Sequence, residues 1–277
     1  MDVFATFADW TALRRTLTGT VGLVPTMGYL HEGHLSLVRR ARAENDHVVV
    51  WIFVNPAQFG PSEDLSRYPR DLPRDLQLLE AEGTAFVLTP TVAEVYPPGF
   101  QTTVSVEALS QPLEGLSRPT HFRGVATVVA RMLGLARAHR AYFGQKDAQQ
   151  CLVVQRMVAD LAIPTEIVVC PTVREADGLA LSSRNVRLSP AQRQAATALY
   201  RALALAQTLY GAGERDAAVL RARMGAVLAE APGGEVDYVS VADPTTLAEC
   251  DRLEGPALVS LAVRFGAVRL IDNLRLG

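Results

Sequence analysis

The feature that most constrains this chain is an alternation of short apolar runs with helical stretches between Val21 and Val169. Residues 21–24, 48–54, 86–88, 141–143 and 167–169 are short and apolar. The run 48–54 has no polar alternation, as expected of a strand buried on both faces. Between these runs, the stretches starting at Leu35 and covering 73–82, 122–138 and 148–161 read as helices, with Gly83 capping the second. Strands alternating with helices of roughly 10–17 residues imply βαβ units and a parallel sheet. Right-handed crossovers then place helices on both faces. Ligands of such sheets lie beyond the carboxyl ends of the strands. Residues 4–17 (Phe7, Trp10, Leu13, Leu17) read as an amphipathic helix and 102–106 as an edge strand. The loop after Asn55-Pro56 is polar and proline-rich through Gln58, Pro61 and Pro69.

Beyond Val173 the texture changes. Ser189-Pro190 opens a long helix, with Ser at the N-cap and Pro at the first position. A second helix covers about 217–230, Pro232-Gly233-Gly234 breaks the chain, and 238–241, 257–263 and 268–271 read as strands. Helices followed by strands suggest a small α+β domain. The expected boundary falls near Thr172, dividing 1–172 from 173–277.

Composition narrows the function classes. The 277 residues are 49% hydrophobic and 20% charged, which excludes disorder, collagen and coiled coil. Lys+Arg 27 against Asp+Glu 29 leaves a net charge of -2, so no global basic field points to nucleic acid. Cys151, Cys170 and Cys250 lie far apart without a CxxC pair, so neither a disulfide framework nor a zinc cluster is indicated. No signal peptide and no spanning helix are visible, and a cytoplasmic enzyme is the expectation.

Four segments carry chemistry. His31-Glu32-Gly33-His34 stands where a strand gives way to a helix. A helix N-terminus offers unpaired N–H groups and partial positive charge, which suit phosphate. Gly33 lets a ligand approach the backbone, and the imidazoles can donate to phosphoryl oxygens. HxxH is tight for zinc and no third ligand is evident, so no metal ligand is assigned. In the second segment, Phe143-Gly144-Gln145-Lys146-Asp147 with Gln149 and Gln150, the ammonium can neutralise phosphate. Asp147 suits either a ribose hydroxyl or the cap of the next helix, and the segment alone reads equally as a helix start. The third, from Asp177-Gly178 through Leu181-Ser182-Ser183-Arg184-Asn185, puts two hydroxyls and an Arg on one loop, either an anion clamp or a surface turn. The fourth runs through Asn55 and Gln58. Gln58 and Gln150 both donate and accept, and suit a ligand bearing hydroxyls and a carboxylate. His121-Phe122-Arg123-Gly124 reads as a helix start.

Taken together these segments resemble the pantoate–β-alanine ligase family of the HxGH nucleotidylyltransferase superfamily. The matching stretches are PTMGYLHEGH (25–34), FVNPAQF (53–59), YPR (68–70), HFRGV (121–125), FGQKDAQQ (143–150), PTVREADGLALSSRN (171–185) and RLIDN (269–273). HxGH alone is a weak signal; the ordered set is highly specific. The resemblance implies ATP-dependent condensation of (R)-pantoate with β-alanine through a pantoyl adenylate, giving pantothenate, AMP and pyrophosphate. It implies an α/β fold, with a Rossmann-like parallel sheet and a smaller α+β C-terminal lid domain. It further implies Mg²⁺ on the phosphates, a homodimer, and no nucleic-acid or membrane partner.

Carried over by position, the resemblance puts Met27, Gly28, Tyr29, Leu30, His31, Glu32, Gly33 and His34 at ATP, with His31 and His34 on its phosphates. Gly144, Gln145, Lys146 and Asp147 would hold ribose and phosphate, Val173 would touch adenine, and Leu181, Ser182, Ser183 and Arg184 would clamp adenine and triphosphate. Of these, His31, His34, Lys146, Ser182, Ser183 and Arg184 would be catalytic. Pantoate would meet Pro25, Met27, Asn55, Gln58, Phe143 and Gln150, and β-alanine would meet Gln58. The family often has Glu at Gln145, a large residue at Ala148 and Met at Leu181. The acidic positions after YPR match poorly, so the protein ligands of Mg²⁺ stay unassigned. Rival readings are another HxGH nucleotidylyltransferase, which keeps the nucleotidyl group on its product, and a nucleotide-binding regulatory module without turnover.

Overall fold

Six parallel strands make the larger sheet of the computed structural model, which describes residues 1–60 and 65–277. Pro61 of the expected loop lies outside the described residues. The strands are β1 (Asp2–Phe4), β2 (Val21–Thr26), β3 (His47–Ile52), β4 (Phe86–Leu88), β5 (Arg140–Gly144) and β6 (Glu166–Cys170), in the order β1-β4-β3-β2-β5-β6. The helices between them are α1 (Phe7–Arg14), α2 (Glu32–Glu44), α3 (Leu72–Ala81), the short α4 (Val92–Val95) and α5 (Glu114–Ser117), α6 (His121–Ala136) and α7 (Ala148–Asp160). Val24, Val48, Val50 and Val87 pack with Leu35, Val38 and Ala41 of α2 and Leu79 of α3. The alternate residues Leu23, Val49 and Trp51 are just as buried. On their side Phe7 of α1 meets the Trp51 ring, and Trp10 Nε1 donates to Leu135 O of α6. Helices therefore cover both faces, which is why β2 and β3 carry unbroken apolar sequence.

The order reverses at β2. From there the chain runs outward through β3 and β4 on one side and through β5 and β6 on the other. The crevice beyond β2 and β5 is the topological switch point, where ligands of open α/β sheets bind.

Two expectations need correction here. Residues 102–106 form no strand. Val104 N–H instead donates to Thr127 Oγ1 of α6, so a side-chain hydroxyl stands where a sheet neighbour was expected. The N-terminal helix starts at Phe7 rather than Phe4, because Asp2, Val3 and Phe4 pair with Phe86, Val87 and Leu88 to make β1.

By its contacts the chain forms two compact units: 1–145 with 149–171, and 146–148 with 172–277. The second contains α8 (Pro190–Ala195), α9 (Ala198–Gly211), α10 (Ala217–Ala229) and an antiparallel sheet β7-β8-β9 (Gly234–Ala242, Ala257–Phe265, Val268–Leu276). The long helix expected after Ser189 is broken in two at Ala196 and Thr197. Ser189 and Gln192 cap α8 reciprocally, and Asp216 caps α10 through Ala218 N–H and Val219 N–H. Leu199, Leu203, Leu220, Met224, Leu228, Val259, Leu261 and Phe265 belong to this unit's own core.

Candidate active site

In the larger unit the HxGH turn follows β2 directly. Gly28 and Tyr29 have φ of 78° and 52°, a left-handed pair that turns the chain toward α2. A Cβ on Gly28 would stand 3.1 Å from Asp75 Oδ2 and from Ile52 Cγ2. Asp75 holds this turn: Oδ2 accepts Tyr29 N–H (2.8 Å) and Oδ1 accepts Leu30 N–H (2.7 Å). Burial pushes its carboxyl up, and the two N–H donors pull it back toward the charged form. Arg74 adds a bond from Nη1 to Leu30 O (2.9 Å) and lies over the Tyr29 ring.

His31 is the N-cap of α2. Its Nδ1 accepts Gly33 N–H (3.2 Å), and His34 Nδ1 accepts His31 N–H (3.3 Å). The rings lie 4.1 Å apart, centroid to centroid. A nitrogen that accepts carries no hydrogen, so both neutral rings have their proton on Nε2. The backbone thus fixes two ring donors at a helix N-terminus, an arrangement suited to phosphoryl oxygens. Glu32 behaves differently: Arg39, on the exposed side of α2, takes its carboxylate and also pairs with Glu82.

Beyond β3, Asn55 caps the short 3-10 helix Pro56–Gln58. Its amide orientation is fixed at both ends, since Oδ1 accepts Ala57 N–H (3.2 Å) and Nδ2 donates to Gly124 O (3.1 Å). Nδ2 also donates to Gln58 Oε1 (3.0 Å), which turns the Gln58 Nε2 toward Met27 Sδ (3.0 Å). Tyr96 O–H donates to Asn55 Oδ1 (2.7 Å). The Gln58 carbonyl lies 2.9 Å from His121 Nδ1 and accepts Arg118 Nη2 (3.3 Å). A carbonyl only accepts, so His121 carries its proton on Nδ1, and its Nε2 faces the Arg118 Nη1 donor at 3.1 Å. His121 does open a helix, and it holds the Gln58 backbone as it does so. Met27, Asn55 and Gln58 thus meet just beyond the ends of β2 and β3, and Pro25 stands one residue inside the end of β2.

At the end of β5, Phe143 is buried and Gly144 O lies 3.4 Å from Cys151 Sγ. Gln149 is structural: Nε2 donates to Leu109 O and Pro112 O, while Oε1 accepts Glu114 N–H. Gln150, its neighbour on α7, is half-buried.

In the smaller unit Lys146 Nζ lies 3.5 Å from Asp147 Oδ1. Leu181 N–H donates to Val173 O (3.0 Å), so the two residues expected at adenine sit across one narrow hairpin. Its turn uses Gly178 at φ 92°. Ser182 Oγ accepts Arg184 N–H (3.2 Å), Ser183 is buried, and Asn185 Nδ2 donates to Ala180 O (3.0 Å). Lys146, Ser182, Asn185 and Asp272 line one small cavity.

Two supporting residues, Asp75 and Tyr96, lie outside the sequence motifs. Asp75 had a usable signal, a carboxylate four residues before Leu79 on the buried stripe of α3. Tyr96 had none, because it follows a four-residue helix in an irregular loop.

Comparison with known proteins agrees in sequence and in structure. The family described as pantoate-beta-alanine ligase matches residues 2–275. A pantothenate synthetase of Roseiflexus castenholzii is 64% identical over 273 residues, covering 99% of this chain and 98% of the relative. The crystal structure of pantothenate synthetase from Thermus thermophilus superposes with a TM-score of 0.95 at 51% identity, covering 99% of each chain. The pantoate-beta-alanine ligase of Francisella tularensis, solved with β-γ ATP and β-alanine, has a TM-score of 0.82 at 33% identity, covering 99% of this chain and 97% of that one.

Proposed function

The chain belongs to the pantoate–β-alanine ligase family, and from that premise we propose which of its side chains carry the ATP-dependent joining of pantoate to β-alanine. The observation that carries the assignment is the pair of imidazoles with backbone-fixed Nε2 donors at the N-terminus of α2. His31 and His34 take phosphoryl oxygens of ATP there, with Lys146, Ser182, Ser183 and Arg184 as the cationic and hydroxyl donors. Met27 through Leu30, Glu32 and Gly33 line the nucleotide, Gly144, Gln145 and Asp147 its ribose, and Val173 and Leu181 its base. Gln58 and Gln150 hold pantoate beside Pro25, Met27, Asn55 and Phe143, and Gln58 also serves β-alanine.

In the first step a pantoate carboxylate oxygen attacks the α-phosphorus and the bond to pyrophosphate breaks. Negative charge grows on the phosphoryl and leaving oxygens, where a preorganised donor contributes about 3 kcal/mol. In the second step the neutral amine of β-alanine attacks the acyl carbon. The bond to AMP breaks and an amine proton passes to solvent.

Mg²⁺ belongs to this reading as the counter-ion of the nucleotide, held by phosphate oxygens and water. Among the described residues no group of three His, Cys, Asp or Glu side chains could cage a metal ion. No protein ligand of Mg²⁺ is therefore assigned among the described residues, and no step is routed through the ion. A cytoplasmic homodimer completes the reading, and light scattering of the purified chain tests the dimer. No helix among the described residues is long and apolar enough to cross a membrane.

The deciding experiment is AMP release that requires both pantoate and β-alanine. Lys146→Ala or His34→Ala keeps the fold and slows pantoyl adenylate formation by about two to three orders of magnitude. Wild-type single-turnover rates in these variants would remove Lys146 or His34 from the phosphate site.

A further inference from the structure

Lys146, Asp147 and Ala148 group with 172–277, although Gln145 and Gln149 on either side belong to the larger unit. Within the smaller unit, Asn273 Nδ2 of β9 donates to the Lys146 carbonyl at 2.9 Å. Asn273 is 5% exposed and its neighbour Asp272 is 2% exposed. Asp272 receives Arg174 in bidentate fashion, Nη1 to Oδ2 at 2.5 Å and Nη2 to Oδ1 at 2.9 Å. Asp272 Oδ1 also accepts Asn273 N–H (2.8 Å), and Arg174 Nη2 lies 3.4 Å from Asn273 O. Arg174 is held in turn: its guanidinium lies over the Tyr200 ring, 4.6 Å from the centroid, and Nη1 donates to Gly178 O (3.0 Å).

Arg174 stands on the first arm of the hairpin whose second arm leads into Leu181, Ser182, Ser183 and Arg184. One part-buried ion pair therefore orients the residue that holds the Lys146 backbone and braces the hairpin that leads to the serines and Arg184. A carbonyl can only accept, so the Asn273 amide has one productive orientation.

We propose that Asn273, oriented by the Arg174–Asp272 pair, is a positioning residue for Lys146 and keeps its ammonium in register with the Ser182–Arg184 loop. The proposal rests on the reading of Lys146 as a phosphate donor. A displacement of about 1 Å at such a donor costs up to about a hundredfold in rate, and Asn273 is the strut that prevents it.

A double-mutant cycle on the full chain tests this. The readout is single-turnover, pantoate-dependent release of pyrophosphate from ATP in wild type, Asn273→Ala, Lys146→Ala and the double variant. Asn273→Ala slows the step about tenfold with the pantoate KM within about twofold of wild type. In the Lys146→Ala background the same change adds less than about twofold, because the group it positions is gone. Asn273→Asp keeps the shape but sets an acceptor against the carbonyl, so it behaves like Asn273→Ala and carries the cycle if the alanine variant does not fold. Equal losses from Asn273→Ala in both backgrounds, or no loss in either, overturn the positioning role alone. A wild-type rate in Lys146→Ala sinks the phosphate reading of Lys146 and the proposal with it.

Discussion

At the scale of single residues, the chain fixes the polarity of one amide. Asn55 cannot flip, because Ala57 N–H needs its oxygen and Gly124 O needs its nitrogen. Gln58 therefore offers N–H rather than C=O on its Nε2 side, the side that in the proposed reading meets carboxylate or hydroxyl oxygens of pantoate. Tyr96 reinforces this by donating to Asn55 Oδ1. Tyr96→Phe removes that donor at a cost of about 1 kcal/mol. The expected result in steady-state kinetics is a pantoate KM raised about fivefold with an unchanged ATP KM; equal rises in both would disconnect Tyr96 from Gln58. Burial pushes the Tyr96 phenol from 10.0 up to about 12, against the pull of Arg131 and of the bond to Asn55. A group whose folded pKa is raised contributes stability that is full below its unfolded pKa and is lost as pH rises through the folded one. Between pH 10 and about 12, stability measured by denaturant melts therefore falls less steeply in Tyr96→Phe than in wild type. Parallel slopes in that window would show that Tyr96 is not the titrating group.

At the scale of elements, Gly124 decides how closely α6 approaches the 3-10 helix that carries Gln58. A Cβ there would stand 2.2 Å from Ala57 O and 2.7 Å from Gln58 N, so the backbone itself would have to move. Overpacking of this kind costs about 1–3 kcal/mol. Gly124→Ala is expected to lower the urea midpoint and raise the pantoate KM together, and a loss of stability with an unchanged KM would show that the displacement stops short of Gln58. Gly124 stands in a stretch that sequence alone reads only as a helix start, for a physical reason. Caps and periodicity are local, and they placed α3, α7 and α10 within a residue or two of their ends. Partners distant in the chain are invisible to them. The strand β1 depends on Phe86–Leu88, and the missing ladder at Val104 depends on Thr127. The helix begun at Ser189 keeps its apolar pattern through the break at Ala196 and Thr197, both of which have φ near −62°. No glycine or proline marks that break.

At the scale of the whole molecule the same contrast separates the site from its supports. The residues to which the proposed chemistry is assigned lie in dense local motifs, and His31, His34, Gln58, Lys146 and Arg184 can be picked out in sequence order. Their supports come from far along the chain, with Tyr96 41 residues from Asn55, Asp75 45 from Leu30 and Asn273 127 from Lys146. Such separations leave no local pattern to read. The two units themselves have distinct cores, one around Val24, Val50 and Leu79 and the other around Leu203, Leu220 and Val259. Trp10 and Trp51 are the chain's 2 tryptophans; both are fully buried in the larger unit. Tryptophan fluorescence therefore reports that unit alone, whereas far-UV circular dichroism also reports α8–α10 and β7–β9. Units with separate cores need not unfold together, and a chain of two such units departs from two-state behaviour. In urea the dichroism curve is expected to show a transition that fluorescence does not follow. Superimposable curves, with a single midpoint for both probes, would mean that the two cores melt as one cooperative body.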